Sequence, residues 1–270
     1  MPRFKDQAIC IRLFDWSETS QVVGLLTQEH GKVRGLAKGS KRTSPGCVAR
    51  YSGGIELLTM GQVVATIRPT SDLATITEWD LQETWRHFRT DLEAQRLGLF
   101  AVDLAGAMLA DHDSHPGAFT ALRDVLSALG EPSQRDAALL TYQWRMLVEC
   151  GYRPELAQDV LAGAVLEDRA TFNFDPKAGG LTAQGAAQSD ESGPGPWRVR
   201  RETVLALRSV AAASVNVDPS RAVTSADAAS PGLGLDVSAV GRANRLLYAY
   251  ARSILDRELP TAAFLFDRGD

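Results

Sequence analysis

Hydrophobic positions change their rhythm once along this chain. Up to about residue 80 they alternate with polar ones in short runs, and from Gln82 onward they recur every three or four residues. The first period belongs to strands and the second to amphipathic helices. Ala8 to Phe14 alternates Ile9, Ile11 and Leu13 with Cys10, Arg12 and Phe14, which predicts a strand with one strongly buried face. Gln21 to Gln28 and Lys32 to Ala37 are short apolar runs on either side of His30-Gly31, a hairpin signal. Gly53-Gly54 opens a run from Ile55 to Met60, Gly61 reads as a turn, Val63 to Ile67 returns, and Leu73 to Trp79 adds a last strand. Five or six short strands spaced about ten residues apart predict a small closed barrel of SH3-like or OB type.

In the second half, Trp85, Phe88, Leu92, Leu99, Val102 and Leu109 step as one long helix or two in line. Phe119, Leu122, Leu126 and Leu129 stripe the next helix, with Gly130 as its C-terminal cap. Another starts at Pro132-Ser133, is apolar over a broad face, and stops at Gly151 before Pro154. A short helix around Thr203 to Val210 and a final one from Val237 to Leu259 complete the pattern. Between them, Pro176 to Trp197 and Ala211 to Leu235 are rich in Gly, Pro, Ala and Ser and read as loops or mobile linkers. The fold class is therefore α+β: a barrel over 1–80 followed by a mainly α-helical bundle domain over 81–270.

With 270 residues the chain can bury a core without staples. Its net charge of −4 excludes holding nucleic acid by bulk charge, so any such binding needs a local patch. One is visible. Residues 1–80 carry ten Lys and Arg against eight Asp and Glu, a net of +2, which leaves −6 for the remainder. Between 30 and 55 stand Lys32, Arg34, Lys38, Lys41, Arg42 and Arg50 with no acid among them. Lys38 to Gly46 adds hydroxyls and free backbone N–H groups, all of which contact phosphate. On a small barrel this makes a basic track for a single strand, with Phe14, Trp16 and Tyr51 as candidate base-stacking aromatics.

Other chemistry is sparse. Gly35 to Lys41 fails as a phosphate-binding loop, because only three residues separate Gly35 from Gly39 and Ser40 precedes Lys41. Cys10, Cys47 and Cys150 lie far apart without a CxxC, so neither a disulfide framework nor a cysteine zinc site is expected. Asp111, His112, Asp113 and His115 have metal-ligand chemistry but sit in a polar inter-helix loop before Pro116. No nucleophile elbow or H-E-x-x-H occurs, so an enzyme is disfavoured. No apolar run reaches about 18 residues, and the first residues lack the apolar stretch of a signal peptide. A soluble, cytoplasmic protein without membrane contact is expected.

Three stretches resemble a known family. Ala8-Ile9-Cys10-Ile11-Arg12, Ser17-Glu18-Thr19-Ser20, and Leu26 through Arg42, which holds T-x-E-H-G-K and A-K-G-x-K-R, are similar to the N-terminus of the bacterial recombination mediator RecO. Leu147 to Leu156 resembles that family's L-x-x-x-G-Y-x-P-x-L segment, and Phe174 with Gly179-Gly180-Leu181 also fits. The resemblance implies an N-terminal five-stranded OB-fold and a helical second domain without a catalytic site or cofactor. It implies binding of single- and double-stranded DNA, strand annealing, and partnership with RecR. It also implies contact with the C-terminal tail of single-stranded-DNA-binding protein, help in loading RecA, and a nucleoid-associated place in the cytoplasm. The DNA-binding role is carried to Arg12, Lys32, Arg34, Lys38, Lys41, Arg42 and Arg50. Arg86, Arg89, Arg96, Arg135 and Arg145 are candidates for the partner's tail.

The chain departs from the family at a zinc hairpin, here about 157–197. Asp159 and Ala162, then Ala183 and Ala186, stand where many members have two pairs of cysteines. No thiolate remains, so zinc of the usual kind is not expected, and Asp159 alone is not expected to replace it. Packing or mobility is expected there instead. Two other readings stay open: an RNA- or translation-associated OB-fold module, since such barrels do not choose their ligand, and a metal-dependent hydrolase using Asp111, His112 and His115.

Overall fold

Strands β1 (Arg3–Asp15), β2 (Gln21–Thr27) and β3 (Gly31–Ala37) form an antiparallel meander, as their alternation predicts. A short helix α1 (Pro45–Arg50) and the two-residue β4 (Tyr51–Ser52) follow, then β5 (Met60–Thr66) and β6 (Ala74–Glu83). The computed structural model describes residues 3–67, 71, 73–184, 196–215 and 236–266. β5 lies antiparallel between β1 and β6, and β3 meets β6 in parallel through Gly35–Ala37 and Ala74–Ile76. That pairing closes the sheet into a five-stranded barrel of OB type. Cys10, Val23, Leu25, Val33, Val63 and Trp79 fill its interior.

The expectation of one buried face on β1 is corrected. Ala8 and Cys10 point into the barrel, yet Ile9 and its register partner Leu26 are also fully buried. They face outward, where α2 (Leu92–Met108) lies against β1 and α3 (Pro116–Ala128) against β2. A continuous apolar stretch is what a strand covered on both sides requires. The barrel with α2 and α3, residues 3–132, therefore forms one compact unit, joined by residues 261–266. The expected boundary at residue 80 falls inside the last strand of the barrel, and the compact grouping divides instead after Pro132. In the returning segment, which holds α7 (Ala263–Phe266), Thr261 donates to Asp103 at 2.8 Å and Phe266 meets Phe100 edge-on at 5.5 Å.

Two further boundaries differ from the sequence reading. Ile55–Thr59 is not a strand: Leu58 is buried with φ of +59°, which breaks the alternation, while its N–H donates to the carbonyl of Cys10. Gly61 is no turn but lies inside β5, where a Cβ would fall 2.5 Å from the carbonyl oxygen of Asp80 and 2.7 Å from the Trp79 ring. Likewise β6 runs to Glu83 and a 3-10 turn spans Arg86–Arg89, so the first long helix starts only at Leu92, capped by Asp91.

The second unit, within residues 133–260, is built on α4 (Arg135–Glu149), α5 (Arg201–Val215) and α6 (Val237–Leu255), which pack on one another. Inside, Gln143 donates to Asn244 at 2.8 Å and Asn244 donates to the carbonyl of Asp136 at 2.9 Å. A small antiparallel sheet, β8 (Gly180–Thr182), β7 (Thr171–Asp175) and β9 (Trp197–Arg200), places Phe174 between Trp197 and Tyr250. α5 extends past the expected Ala211 to Val215; the loop readings over 185–195 and 216–235, and Ala186 with them, lie outside the described residues.

The G-Y-x-P segment has a conformational reason. Gly151 has φ of +80°, its N–H donates to Val148, and the Tyr152 N–H donates to Leu147 at 2.7 Å. This pair of bonds is the Schellman ending of a helix, and Pro154 prevents its continuation. The chain then runs beside β8, with Glu155 N–H on the carbonyl of Gly179 and Val160 N–H on that of Leu181.

At Asp159 the sequence expectation fails. Its side chain is buried at 3% exposure. One carboxylate oxygen accepts the N–H groups of Leu161 and Ala162 at 2.8 and 3.0 Å; the other accepts Ala183 N–H at 2.7 Å. A single carboxylate thus ties together both halves of the hairpin, at the very positions where thiolates were absent. The physical reason is that a carboxylate offers about four acceptor directions and needs only backbone donors.

Candidate nucleic-acid interface

The two N-terminal motifs hold each other. In Ser17-Glu18-Thr19-Ser20, the Ser17 hydroxyl accepts the Ser20 N–H at 3.1 Å, closing a tight turn after β1. Ser20 Oγ then accepts Gly39 N–H at 3.0 Å, and Lys41 N–H donates to the carbonyl of Thr19 at 3.1 Å. The A-K-G-x-K-R loop is therefore clasped by the turn that precedes β2. Gly39 takes φ of +76°, which favours glycine, and the Arg42 stem runs beside it. Tyr51 Oη donates to the carbonyl of Ile76 at 2.9 Å and lies 3.3 Å from that of Lys38. Tyr51 is buried at its post, which corrects its reading as a stacking aromatic.

Lys38, Lys41 and Arg42 stand on this clasped loop, and Arg50 ends α1 close by, its guanidinium on the carbonyl of Gly46 and on Cys47 Sγ at 3.5 Å. The Cys47 thiol is pulled below its usual range by a hydrogen bond from Ser44, with Arg50 and Arg42 adding to the effect and burial opposing it. Along β1 and its neighbours, Gly24 of β2 pairs with Arg12 on one side and Arg34 on the other. Residues in register share a face of the sheet, so two exposed cations flank a residue without a side chain. The next outward row is Phe14, Val22 and Leu36. Arg12 lies over the Phe14 ring at 5.4 Å.

The cations are not uncompensated, as the window 30–55 suggested. Asp15 pairs with Lys41, and Asp111 pairs with Lys32 at 3.2 Å and Arg34 at 3.3 Å. Both acids lie outside that window. Lys32 has a structural role: its ammonium donates to the carbonyls of Gly106 (2.8 Å) and Leu109 (2.7 Å) and is only 17% exposed. It closes the C-terminal end of α2, where a cation meets the helix dipole favourably. Nothing in its sequence context separates it from Lys38.

The arginines considered for a partner's tail do not form one set. Arg86, Arg89 and Arg96 lie in the first unit, with Arg89 on Glu56 at 2.6 Å; Arg135 and Arg145 lie in the second. Arg135 is buried at 6% exposure, which argues against a docking role. The second unit instead carries an open groove of about 380 Å³ lined by Trp144, Pro154, Leu156, Leu166 and Ala211, with Val165 exposed and Arg153 and Arg208 at its edge. Arg208 is fixed by donating twice to the carbonyl of Leu156, at 3.0 and 2.6 Å. Sequence reasoning missed these two, although Arg153 stands inside the G-Y-x-P segment itself.

Asp111 is held by two cations and His115 Nε2 lies 3.0 Å from Asp113, so the loop before α3 is an ion-paired turn. Among the described residues no three His, Cys, Asp or Glu side chains are grouped to hold a metal, and no helix is long and apolar enough to cross a membrane.

Comparison with known proteins agrees with these motifs. Residues 1–85 match the family model described as Recombination protein O N terminal, and residues 89–214 match Recombination protein O C terminal. The chain is 28% identical over 269 residues to a protein named DNA repair protein RecO from Anaeromyxobacter sp. (strain K), covering 100% of this chain and 98% of that one. It is 28% identical to the protein of that name from Roseiflexus sp. (strain RS-1), covering 98% and 85%, and 27% identical to the one from Bacillus pumilus, covering 69% of each. Two consecutive family models, relatives aligned end to end, and an OB barrel whose signature motifs clasp each other lead to one conclusion: this chain belongs to the RecO family.

Proposed function

We propose that this chain is a non-enzymatic recombination mediator in DNA repair, which binds single- and double-stranded DNA and anneals complementary strands. With RecR it helps to load RecA onto DNA coated by single-stranded-DNA-binding protein, in the cytoplasm at the nucleoid. The observation that carries the reading is the clasped loop. It presents Lys38, Lys41 and Arg42, with Arg50 close by and Arg12 on the outer face of β1, on a barrel in an otherwise acidic molecule. Cations there displace counterions from phosphates, and two strands screened on one surface keep their base edges free to pair. Arg34 contributes in competition with Asp111. The triple variant Lys38→Ala, Lys41→Ala, Arg42→Ala tests this. Its affinity for any DNA sequence should fall, and the slope of log affinity against log salt for a single strand should flatten by about 2. Wild-type affinity with an unchanged slope would end the proposal.

The groove lined by Arg153 and Arg208, with Glu155 beside them, suits an acidic tail ending in an aromatic residue: apolar walls take the ring and the two cations outweigh the one carboxylate. We assign the tail of single-stranded-DNA-binding protein to it. Arg153→Glu should abolish binding of an acidic peptide ending in Pro-Phe while leaving DNA affinity intact.

A further inference from the structure

Phe14 and Trp16 are large aromatic side chains left 47% and 64% exposed at the point where β1 leaves the barrel. Their backbone is tied to the neighbouring strand and turn. Phe14 is paired in register with Val22, Asp15 with Gln21, and Trp16 N–H donates to the carbonyl of Ser20 in the turn that clasps the basic loop. Alternation along β1 places Arg12 and Phe14 on the same side, about 7 Å apart, and Trp16 follows directly where the strand ends. The glycine beside Arg12 leaves the neighbouring surface flat. An exposed aromatic next to cations offers a face for a planar ring and a charge for the phosphate that follows it; at Phe14 the Arg12 guanidinium lies over the ring at 5.4 Å, which leaves the opposite face and the Trp16 ring for a base. In a duplex every base already has both faces covered by its neighbours, so these side chains have nothing to stack on there.

We infer that Phe14 and Trp16 form a base-stacking platform that makes this barrel prefer unpaired over paired DNA. The inference rests on the basic loop being the DNA-binding surface, and goes beyond it by separating two roles. The cations hold phosphate of either form, whereas the aromatic pair reads whether the bases are free.

The experiment compares a thymidine oligomer, a base-free oligomer of the same length and a duplex of the same length, at fixed salt, on the full chain. The variants are Phe14→Leu with Trp16→Leu, and separately the Lys38, Lys41, Arg42 triple alanine. The aromatic double variant should lose about 10- to 100-fold on the thymidine oligomer. It should lose less than about twofold on the duplex and the base-free strand, with an unchanged salt slope. Wild-type fluorescence should be quenched by the thymidine oligomer and that quenching should vanish in Trp16→Leu. Equal losses on single strand and duplex, or no loss on either, overturn the platform. The triple alanine reports on the underlying reading independently, because it should weaken all three ligands alike. A thermal melt of each variant matching wild type confirms that the losses are not unfolding.

Discussion

The carboxylate of Asp159 accepts the backbone N–H of Ala183 at 2.7 Å, across 24 positions of sequence. Its other oxygen holds the turn at Leu161 and Ala162, so one side chain joins the two arms of the hairpin. Asp159→Asn keeps one acceptor for that turn but aims an NH2 group at the Ala183 donor. We expect a loss of about 2 kcal/mol, as for a buried donor left without an acceptor, and a larger loss for Asp159→Ala. Chemical denaturation at neutral pH measures both. A stability equal to wild type in Asp159→Ala would show that packing alone holds the hairpin.

The same residue sets an acid dependence. The Ala183 N–H, against the opposing effect of burial and with help from Ala162, Leu161 and Thr182, holds the Asp159 carboxyl below its ordinary value. A depressed folded-state value means the stabilisation is full above the unfolded value, about 3.9, and is lost as pH falls through the folded one. The stability gap between wild type and Asp159→Asn should therefore be constant from pH 7 to about pH 5 and should begin to shrink below about pH 4, closing as pH passes through the lower folded-state value. A gap that stays undiminished as pH falls below the unfolded value would contradict this.

Lys32 and Lys38 are both cations of the basic stretch, but only one caps a helix. Lys32→Ala removes two charge-assisted bonds to α2 carbonyls and should lower stability by about 2 kcal/mol. Its salt slope for DNA should stay at the wild-type value. Lys38→Ala should do the reverse. Thermal melts and salt-titrated binding on the pair of variants decide the assignment.

Asp15 holds Lys41 on the clasped loop and is itself highly exposed. Asp15→Asn frees the ammonium and removes a like charge from the path of the phosphates. Affinity for a single strand should rise about two- to fivefold at low salt, and the gain should shrink as salt is added. Unchanged affinity at low salt would mean that Lys41 does not meet phosphate.

Gly31 is required twice over. It has φ of +69°, and a Cβ there would fall 2.1 Å from the carbonyl oxygen of Asp113. Gly31→Ala should destabilise the first unit by more than about 2 kcal/mol. It should also displace the loop that brings Asp111 to Lys32 and Arg34. Equilibrium unfolding checks the first effect, and amide exchange of residues 111–113 checks the second.

Much of this was legible in the chain. The strands from Ile9 to Ala37 follow from alternation, because their inner face is uniformly apolar. The ending of α4 follows from Gly151 and Pro154. What alternation could not show was a second burial: Ile9 and Leu26 are apolar for the sake of helices encoded far downstream. Ile55–Thr59 misled because an irregular loop that buries Ile55 and Leu58 is as apolar as a strand. In the site, the cations were visible but their occupations were not. Charge counted over a window omits Asp15 and Asp111, which folding brings in from outside it. Asp159 was noted at a vacant cysteine position but not expected to stand in for the metal, since backbone donors leave no trace in side-chain identity.

The coat over β1 and β2 has a temporal side. Its helices are translated after the barrel's last strand, and α7, which touches Phe100, is translated later still. At roughly 5–20 residues per second on a ribosome, a nascent barrel stands for several seconds with Ile9 and Leu26 bare to water. Synthesis of this protein thus passes through a sticky interval, in which a chaperone or a slow codon between Glu83 and Leu92 would change the yield without altering the finished molecule.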